Sequence, residues 1–542
     1  MHEKILGLDM GGTNLDAVIL EDDDVKKTLK VPVQRDDLLG SVMQCLKEIT
    51  KDQDPDSWTR IHLSTTLTTN RIAEDRLDPV TLVIQEGPGL VENYEGKGID
   101  LYKLSGAIDH RGIVTGKVPN KELRALESQV DPEHYPNLAV VCKFGTRNPN
   151  VEQEIASHLE SQFHSLTLGH RLSGTLNFPR RVRTAWLNAA VYEAFSTFAK
   201  AISDGLKNAG ITAPIYILKA DAGTLPLSAA EEQPVQSILS GPAASFLGLT
   251  ALEPTNEDAI LLDIGGTTTD IFYLVEGEPL FEAQGASLAG YKTLIRALFC
   301  DTIALGGDSL VHFVDGKLKL GPRRSPTPPT LSDAFRLLGR LDDGQDTSVF
   351  EDLAKEHDLE PQAFAQQCVE LAAQMIHDQV TKRLEALSRY PLYTVREVLE
   401  NRQLEPKLWQ VIGGPAGALK PEIEKLAGVP VHVPKSAEVA NAIGAALARP
   451  TQVLTLHADT EAGMLRIPEL GVQESISKRY DLPNAKQRMI QELRKIAQDL
   501  GLAEDEIEIT EEQRFLMLDG YRQGLNIRLE GQIRPGLMTK KQ

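Results

Sequence analysis

The sequence predicts an α/β protein in which two copies of one domain face a shared cleft. An apolar strand followed by Asp-x-Gly-Gly-Thr occurs twice, at 8–16 and at 262–270. In each copy a second Asp stands seven positions after the first, and an apolar strand then resumes. The copies are 254 residues apart (263 − 9), so each half of the chain has room for a domain. We therefore predict a duplicated domain in which each half contributes one turn to the cleft.

These glycine-rich turns suit phosphate binding. Glycines lack a Cβ and let backbone N–H groups converge on an anion, and a threonine adds a hydroxyl donor. The candidate phosphate ligands are Gly11, Gly12, Thr13 and Asn14 in the first copy and Gly265, Gly266, Thr267 and Thr268 in the second. A carboxylate repels phosphate, so Asp9 and Asp263 predict an intervening divalent cation, Mg²⁺ with retained waters. The alternative is a pair of plain β-hairpin turns, which Gly-Gly also favours.

Two further glycine pairs are weaker candidates for nucleotide contact. Gly413-Gly414 stands between a strand and a helix beginning near Ala416, and such a helix start can hold a phosphate or adenosine edge. Gly306-Gly307 is a similar candidate. A plain connection between a strand and a helix explains either pair equally well. The small residues of 441–446 predict a helix that another helix can approach closely, as at a hinge, or simply a buried helix.

The residue patterns also predict the domain organisation. We predict a first half at 1–252 with an α/β subdomain inserted at 79–180, where strands and helices alternate without the repeated turn. The second half covers 256–450 and includes a helical block at about 330–400. A small C-terminal α+β module follows at 451–542, with an amphipathic helix over 484–500 and two strand-like runs.

Composition excludes several classes of partner. The net charge of −20 argues against nucleic acid or an anionic membrane, because both require basic surface. No apolar run approaches the roughly 20 residues of a membrane span. The four cysteines are far apart, so we expect reduced thiols rather than a sequence-local metal site. The first strand begins almost at the first residue, which leaves no room for a signal peptide and favours a cytoplasmic protein.

Other enzyme templates are absent from the sequence. There is no G-x-x-x-x-G-K-[ST], no G-x-G-x-x-G after the first strand, no H-E-x-x-H and no G-x-S-x-G. The twelve histidines are dispersed. His62 and His432 lie in apolar strands, and we expect both to be packed rather than catalytic.

Taken together, the motifs resemble those of the actin-like ATPase superfamily, whose members contain duplicated RNase H-like domains around a nucleotide cleft. The two Asp-x-Gly-Gly-Thr turns, the Gly-Gly-Pro-Ala turn and the 441–446 helix resemble its phosphate-1, phosphate-2, adenosine and connect elements. Within it the chain resembles the ATP-using A subunit of the hydantoinase/oxoprolinase family. That resemblance is carried by TTLTTN at 65–70, FGTRNP at 144–149, LSGPAA at 239–244 and GQIRPGL at 531–537.

The resemblance implies ATP-dependent opening of a cyclic amide such as a hydantoin, 5-oxoproline or a related lactam. ATP would phosphorylate the carbonyl oxygen and so make the carbon open to attack by water. By this resemblance Asp9 and Asp263 would hold Mg²⁺, the two glycine turns would hold phosphates, and Gly413, Gly414 and Ala416 would border the adenosine. Thr66 and Asn70 would line the substrate side. Asp16 and Asp270 would assist, unless each only caps its own turn.

The sequence leaves alternatives open. A carboxylase or small-molecule kinase subunit uses the same fold, and so does an ATP-driven activator of another protein. Members of the family often act with a separate B-type subunit, and self-association also stays open.

Overall fold

The computed structural model describes residues 3–12, 14–22, 24–34, 37–89, 92–324, 328–389, 404–502, 506–519 and 522–538. Its α-helices, in chain order, are α1 Leu38–Ile49, α2 Leu67–Ala73, α3 Asn120–Gln129, α4 Asn150–Leu159, α5 Gly169–Leu172, α6 Phe178–Ala190, α7 Tyr192–Asn208, α8 Leu227–Glu232, α9 Ser240–Leu252, α10 Leu331–Leu337, α11 Ser348–Glu356, α12 Pro361–Arg389, α13 Ala416–Ala427, α14 Ala440–Leu447 and α15 Leu482–Asp499.

The strands up to residue 226 form two main sheets. They are β1 Lys4–Met10, β2 Asn14–Glu21, β3 Asp24–Pro32, β4 Arg60–Thr65, β5 Val80–Gln85, β6 Ile99–Lys103, β7 Ala107–Ile108, β8 Val114–Gly116, β9 Asn137–Cys142, β10 Ser165–Leu168, β11 Ile215–Leu218 and β12 Thr224–Pro226. One sheet has six strands in the order β12-β11-β4-β1-β2-β3. The other has four parallel strands in the order β10-β9-β5-β6 and falls within the predicted insertion.

The strands from 259 to 432 form a second six-stranded sheet and two small hairpins. They are β13 Ala259–Ile264, β14 Thr269–Val275, β15 Glu278–Pro279, β16 Ser287–Leu288, β17 Tyr291–Lys292, β18 Cys300–Ile303, β19 Ser309–Val314, β20 Lys317–Arg324, β21 Leu408–Ile412 and β22 Val431–His432. The sheet order is β15-β14-β13-β21-β22, with β18 also paired to β14. The predicted helical block is present as α10 to α12, and its residues 390–400 lie outside the described ranges.

The two six-stranded sheets share one pairing pattern. In β3-β2-β1-β4-β11 the first two pairings are antiparallel and the next two are parallel. In β18-β14-β13-β21-β22 the first two pairings are likewise antiparallel and the next two parallel. Each repeated glycine turn therefore joins the two central antiparallel strands of its sheet.

A five-stranded sheet follows at the C-terminal end of the chain. Its strands are β23 Val453–Asp459, β24 Met464–Ile467, β25 Val472–Ser475, β26 Ile507–Asp519 and β27 Arg522–Ile533, in the order β25-β24-β23-β27-β26. Helix α15 packs on one face because Ala485, Met489 and Leu493 recur every four residues, which places them on one side of a helix. The predicted helix and strand pair are thus present, and the domain boundaries themselves stay a prediction.

Helices α9 and α14 cross in direct backbone contact. A Cβ on Gly248 would lie 2.1 Å from the carbonyl oxygen of Ala440, and one on Gly444 would lie 2.1 Å from that of Ala244. Only glycine fits at such a crossing. The close approach predicted for 441–446 is therefore confirmed, and the helix is also buried, so the two interpretations of this segment are compatible.

The described residues contain no helix that could span a membrane and no disulfide bond. Within those ranges, every helix is too short or too polar to cross a membrane. The cysteines are unpaired, as expected; Cys45, Cys142 and Cys368 are buried and Cys300 is half-buried.

Candidate functional site

Both repeated turns are β-hairpin turns with the same closure. The N–H of Gly11 donates to the carbonyl of Asn14 at 3.0 Å, and that of Gly265 donates to the carbonyl of Thr268 at 2.9 Å. Thr13 lies outside the described residues. The plain-hairpin interpretation is therefore correct about the backbone, and it does not conflict with phosphate binding. The space where a side chain would project from Gly12 is open to at least 4 Å, which leaves room for a ligand.

The hairpins place four aspartates at matching positions. Asp9 lies directly opposite Asp16 across β1 and β2, and Asp263 lies directly opposite Asp270 across β13 and β14. The parallel neighbour of Asp9 on β4 is Ser64. Because the cross-strand neighbours share one face of a sheet, each hairpin presents its two carboxyls together.

Two helices hold the Asp263 carboxylate. The Ser245 hydroxyl on α9 donates to Asp263 Oδ2 at 2.5 Å, and the Asn441 amide on α14 donates to the same oxygen at 3.3 Å. Asn441 is also close enough to Asp9 to lower the pKa of that carboxyl. One amide thus serves a carboxylate from each hairpin, and the two halves meet at this point.

All four aspartates have raised pKa values. Burial raises the pKa of Asp9 and of Asp270 to about 7, and it is also the main cause of the upward pKa shifts at Asp16 and Asp263. Asp263 and Asp270 keep some exposed surface, yet protein atoms surround both carboxyls and desolvate them. The negative charge of Asp263 also raises the pKa of the other three. Buried like charges of this kind call for a cation.

In each sheet, the strand that pairs with the second strand of the hairpin places a different group beside the second aspartate. Lys30 on β3 lies opposite Asp16 and forms an ion pair with Oδ1 at 3.0 Å. Thr302 on β18 lies opposite Asp270 and donates its hydroxyl to Oδ1 at 2.6 Å. Each aspartate thus has a partner on the neighbouring strand, whatever contact it also makes with its own turn. The first carboxylate has a cation beside it, whereas the second has a neutral donor.

The donor set fits a hydrated Mg²⁺ ion. Asp9 Oδ1 is buried and has no hydrogen-bond partner among the described residues. In the same ranges no three His, Cys, Asp or Glu side chains are grouped closely enough to ligate one ion directly. Mg²⁺ keeps several waters and takes one or two carboxylates, so Asp9 and Asp263 suit such a site better than a dehydrated ion.

The turn after β21 lies beside the second hairpin. Asp263 is the parallel neighbour of Ile412, and Gly413 follows with φ of 95°. A Cβ there would lie 2.1 Å from the carbonyl oxygen of Ile264, so this position requires glycine. Gly414 faces open space, and Ala416 begins α13. Gly413, Gly414 and Ala416 thus lie beside the second hairpin, and their role as an adenosine border stays a prediction.

Gly306 and Gly307 lie behind the second hairpin turn. Gly306 N–H donates to the Ser309 hydroxyl, and Gly307 N–H donates to the Gly265 carbonyl at 3.0 Å. Both N–H groups are therefore used by hydrogen bonds within the protein, as those of Gly11 and Gly265 also are, and the phosphate role of Gly306 and Gly307 stays a prediction. The pair packs so closely that a Cβ on Gly306 would lie 2.5 Å from the Gly265 oxygen.

Thr66 and Asn70 lie at the start of α2, beside the first hairpin. Thr66 N–H donates to the Met10 carbonyl at 3.3 Å, and Asn70 Nδ2 donates to Thr66 Oγ1 at 3.2 Å. Ser240 at the start of α9 is bonded to the backbone of Thr65. The hydroxyl-rich stretch therefore joins the first hairpin to the helix that carries Ser245.

One of the two histidine predictions is wrong. His62 is buried, and its Nδ1 is 3.0 Å from the carbonyl oxygen of Ala445, as expected for a packed side chain. His432 is exposed and paired with Glu253. Its apolar surroundings in the sequence suggested a longer strand, but β22 has only two residues and lies at the edge of its sheet.

A cavity of about 240 Å³ lies beside Thr302. Its lining combines apolar and polar surface in similar amounts. The apolar residues include Ala220, Leu239, Pro242, Ala286, Leu288, Ala297 and Leu298, and the polar groups are Glu282, Ser287, Cys300 and Thr302. A more open groove of about 690 Å³ lies beyond the Ser287–Lys292 hairpin and includes Arg180 and Arg183, but none of the four aspartates. The smaller cavity is the one connected to the acidic cluster, through the bond between Thr302 and Asp270.

The site contains groups that the sequence did not identify by role. These are Ser64, Ser245, Lys30, Thr302 and Asn441. The small residues of 441–446 do predict the close helix contact that positions Asn441. The others are set by strand register and by helix packing, which a single sequence does not display.

Two relatives match parts of this chain. An uncharacterized protein of Methanocaldococcus jannaschii is 25% identical over 271 residues, which is 45% of this chain and 40% of that protein. The 5-oxoprolinase of Saccharomyces cerevisiae is 27% identical over 276 residues, which is 47% of this chain and 20% of that enzyme. The match therefore spans less than half of each relative's length.

Two solved structures share the fold of nearly the whole chain. An ATP-dependent caprolactamase from Pseudomonas jessenii superposes with a TM-score of 0.72 at 16% identity, over 99% of this chain and 88% of that one. A nucleotide-free acetone carboxylase chain superposes with a TM-score of 0.70 at 14% identity, over 98% and 88%. At these identities the likeness concerns the fold, which is a mixed α/β architecture of several sheets.

Family models cover most of the sequence. The hydantoinase/oxoprolinase N-terminal region matches residues 5–163, and the hydantoinase/oxoprolinase model matches residues 181–453. The second match alone covers half of the 542 residues. It includes Asp263, Gly413 and Asn441, while the first includes Asp9 and Thr66. The chain belongs to the hydantoinase/oxoprolinase family.

Proposed function

We propose that this chain is an ATP-dependent enzyme subunit that opens a small cyclic amide, such as a hydantoin, 5-oxoproline or a related lactam. The observation that carries the proposal is the cluster of four aspartates, two from each hairpin, with Asn441 between the halves. Such a cluster is stable as anions only beside a cation, and open space at Gly12 leaves room for phosphate nearby.

The proposed architecture follows from the repeated pairing pattern. Residues 1–252 and 256–450 are two RNase H-like domains of the actin-like ATPase type, 79–180 is an insertion, and 451–542 is a C-terminal module. The identical order of strand senses around the two hairpins supports the duplication. Free cysteines agree with the cytoplasmic location that we also propose.

In the proposed reaction the amide carbonyl oxygen attacks the terminal phosphorus of ATP, and the bond to the bridging oxygen breaks to release ADP. Water then adds to the activated carbon, and the ring C–N bond breaks as the nitrogen takes up a proton, which leaves an acyl phosphate. A second water hydrolyses the acyl phosphate to the free carboxylate of the opened ring and phosphate. Mg²⁺ held by Asp9 and Asp263 would neutralise charge on the phosphate oxygens. Gly11, Gly12, Thr13, Asn14, Gly265, Gly266, Thr267 and Thr268 would position the phosphates, so that alignment and charge neutralisation supply most of the rate.

The substrate position follows from the connected cavity. At about 240 Å³ and with both apolar and polar groups in its lining, the cavity beside Thr302 suits a small ring that carries hydrogen-bonding groups, as a cyclic amide does. Thr66 and Asn70 would approach the substrate from the first half. Gly413, Gly414 and Ala416 would border the adenosine on the opposite side of the second hairpin.

The test is ATP turnover by the purified chain with Mg²⁺, with and without hydantoin, 5-oxoproline, 2-pyrrolidinone and caprolactam. We expect one member of the panel to raise phosphate release at least about tenfold. Ring opening without ATP consumption would exclude the mechanism. Phosphate release that depends on the lactam but produces no opened ring would assign activation to this chain and hydrolysis to a B-type subunit.

The same assay separates the alternatives. A carboxylase would consume ATP only with bicarbonate and an acceptor such as acetone, and a kinase would yield a stable phosphorylated product. An activator of another protein would hydrolyse ATP without response to any of these compounds.

A further inference from the structure

The polar face of the C-terminal sheet carries a row of nitrogen-bearing side chains. In register across four neighbouring strands lie Arg466 on β24, His457 on β23, Arg528 on β27 and Gln513 on β26. Directly opposite residues point to the same face of a sheet. The other face is apolar and is covered by α15, so this row belongs to the side away from that helix.

Two loops from the four-stranded region cover this face. The 144–149 loop supplies Arg147, and the neighbouring 109–112 turn supplies Arg111. The loops are bonded to each other, because Asn148 Nδ2 donates to the Gly112 carbonyl at 2.8 Å. Arg111 reaches the sheet side, with Nη2 at 2.8 Å from Glu461 and Nε at 3.6 Å from Asp459 Oδ2.

The arginines at this contact outnumber the carboxylates. Arg111, Arg147, Arg466 and Arg528 face Asp459 and Glu461, in a protein with a net charge of −20. Burial, followed by the positive charges of Arg528 and Arg466, lowers the pKa of Arg147 to about 10, against the smaller opposite effect of Asp459. Among the described residues, no carboxylate forms an ion pair with Arg147 or Arg528 at 4 Å or less.

Several buried donor atoms at this contact have no hydrogen-bond partner among the described residues. Arg466 is 7% exposed, and its Nη1 has no hydrogen-bond partner among the described residues. In those ranges the same holds for Arg147 Nε and Thr146 Oγ1, and for one acceptor, Asp459 Oδ2. Buried guanidinium groups are normally satisfied. Unpaired guanidinium nitrogens beside other cations therefore indicate room for an anion in addition to the Asp459 carboxylate.

We propose that Arg147, Arg466 and Arg528 form a binding site for a small oxyanion, of the phosphate or carboxylate class, between the 144–149 loop and the C-terminal sheet. A planar guanidinium binds such groups through two parallel hydrogen bonds. Arg147 and Arg528 are only half-buried, so the site is reachable from solvent. The bound anion ties the loop to the sheet. This site is separate from the aspartate cluster and does not depend on the proposed reaction.

Thermal unfolding of the full chain at constant ionic strength tests the site. Sodium phosphate, sulfate and malonate are compared with sodium chloride, which distinguishes phosphate-like from carboxylate ligands. We expect one of the three to raise the unfolding midpoint of the wild type by about 2 °C or more at millimolar concentration. Equal midpoints in all four salts would overturn the proposal.

Arg147→Gln and Arg528→Gln are the informative variants, and Arg124→Gln is the matched control because Arg124 is exposed on α3. Each cluster variant should lose the anion response, whereas the control keeps it. In chloride, Arg147→Gln should unfold no earlier than the wild type, since it removes a cation that two neighbours repel. A response that survives in both cluster variants would place the anion elsewhere, including the cleft, and would contradict the proposal.

Discussion

Asn441 Nδ2 lies 3.3 Å from Asp263 Oδ2, and its helix packs directly on the strand that carries Asp9. The amide is neutral, so it donates to a cluster of four carboxylates without adding charge. Replacing Asn441 with a charged residue would therefore change the net charge of the aspartate cluster.

The ATP turnover of Asn441→Asp and Asn441→Ala should therefore distinguish an electrostatic role of Asn441 from a structural one. Asp has the same shape but adds a fifth carboxylate, so we expect Mg²⁺-dependent ATP turnover to fall about 100-fold, against about tenfold for Ala. A purely structural role predicts the reverse order, because Asp preserves the packing. Asn208→Asp adds the same charge on the exposed end of α7 and should leave turnover unchanged.

Substitution of the carboxylates themselves tests the cleft directly. We expect Asp9→Asn and Asp263→Asn each to abolish Mg²⁺-dependent ATP turnover, since the charge that would bind the cation is lost. Asp352→Asn on the exposed face of α11 is the control. If both cleft variants hydrolyse ATP at the wild-type rate, the nucleotide does not bind between the hairpins.

The contrast between Lys30 and Thr302 suggests an engineered variant. Thr302→Lys would give Asp270 the cation that Asp16 already has, and Thr302 is exposed, so the longer side chain has room. At pH 8 with chelator we expect the free energy of unfolding to rise by about 1 kcal/mol. Thr302→Val, which removes the hydroxyl donor, should lower it. Equal stability of the two variants would show that Asp270 is already neutralised.

Much of this site could be predicted from the sequence because the hairpin motif is local. Asp9 and Asp263 each stand two residues before the glycine pair of their own turn. The strands on either side of each turn form as the sequence predicts. Lys30 and Thr302 could not be predicted, because each depends on the register of a third strand. Ser245 and Asn441 depend on how two helices pack. The bond from the Gly307 N–H to the Gly265 carbonyl could not be predicted either, because it joins two loops that are distant in the sequence.

His62 should make stability depend on pH below neutrality. Burial lowers its pKa to about 3, while the unfolded chain takes up a proton near pH 6.5. The contribution of neutral His62 is therefore complete above pH 6.5 and is lost as pH falls toward 3.

His62→Asn keeps a donor for the Ala445 carbonyl but cannot take up the proton. The stability gap between wild type and variant should narrow as pH falls from 6.5 to 4, by at most about 1.4 kcal/mol per pH unit. Chemical denaturation at several pH values measures that gap. A gap that stays constant would mean that the imidazole is protonated in the folded protein.

The crossing of α9 and α14 should not accept a side chain. Gly444→Ala would place a Cβ 2.1 Å from the Ala244 carbonyl oxygen and 2.4 Å from the Gly248 nitrogen, so we expect a loss of about 3 kcal/mol or failure to fold. Gly417→Ala on α13 meets open space and should change stability by less than about 1 kcal/mol, in the favourable direction. Thermal midpoints of both variants decide the matter.

The position of that crossing limits how far the acidic cluster can be disturbed. Ser245 precedes Gly248 by three residues, and Asn441 precedes Gly444 by three, so each Asp263 donor lies about 4.5 Å along its helix from the contact point. Rocking one helix by 10° about the contact displaces such a donor by less than about 1 Å. The same rotation would displace residues far from the contact by several ångströms. Any rotation of the two halves about this crossing would therefore leave Asp263 close to both of its hydrogen-bond donors.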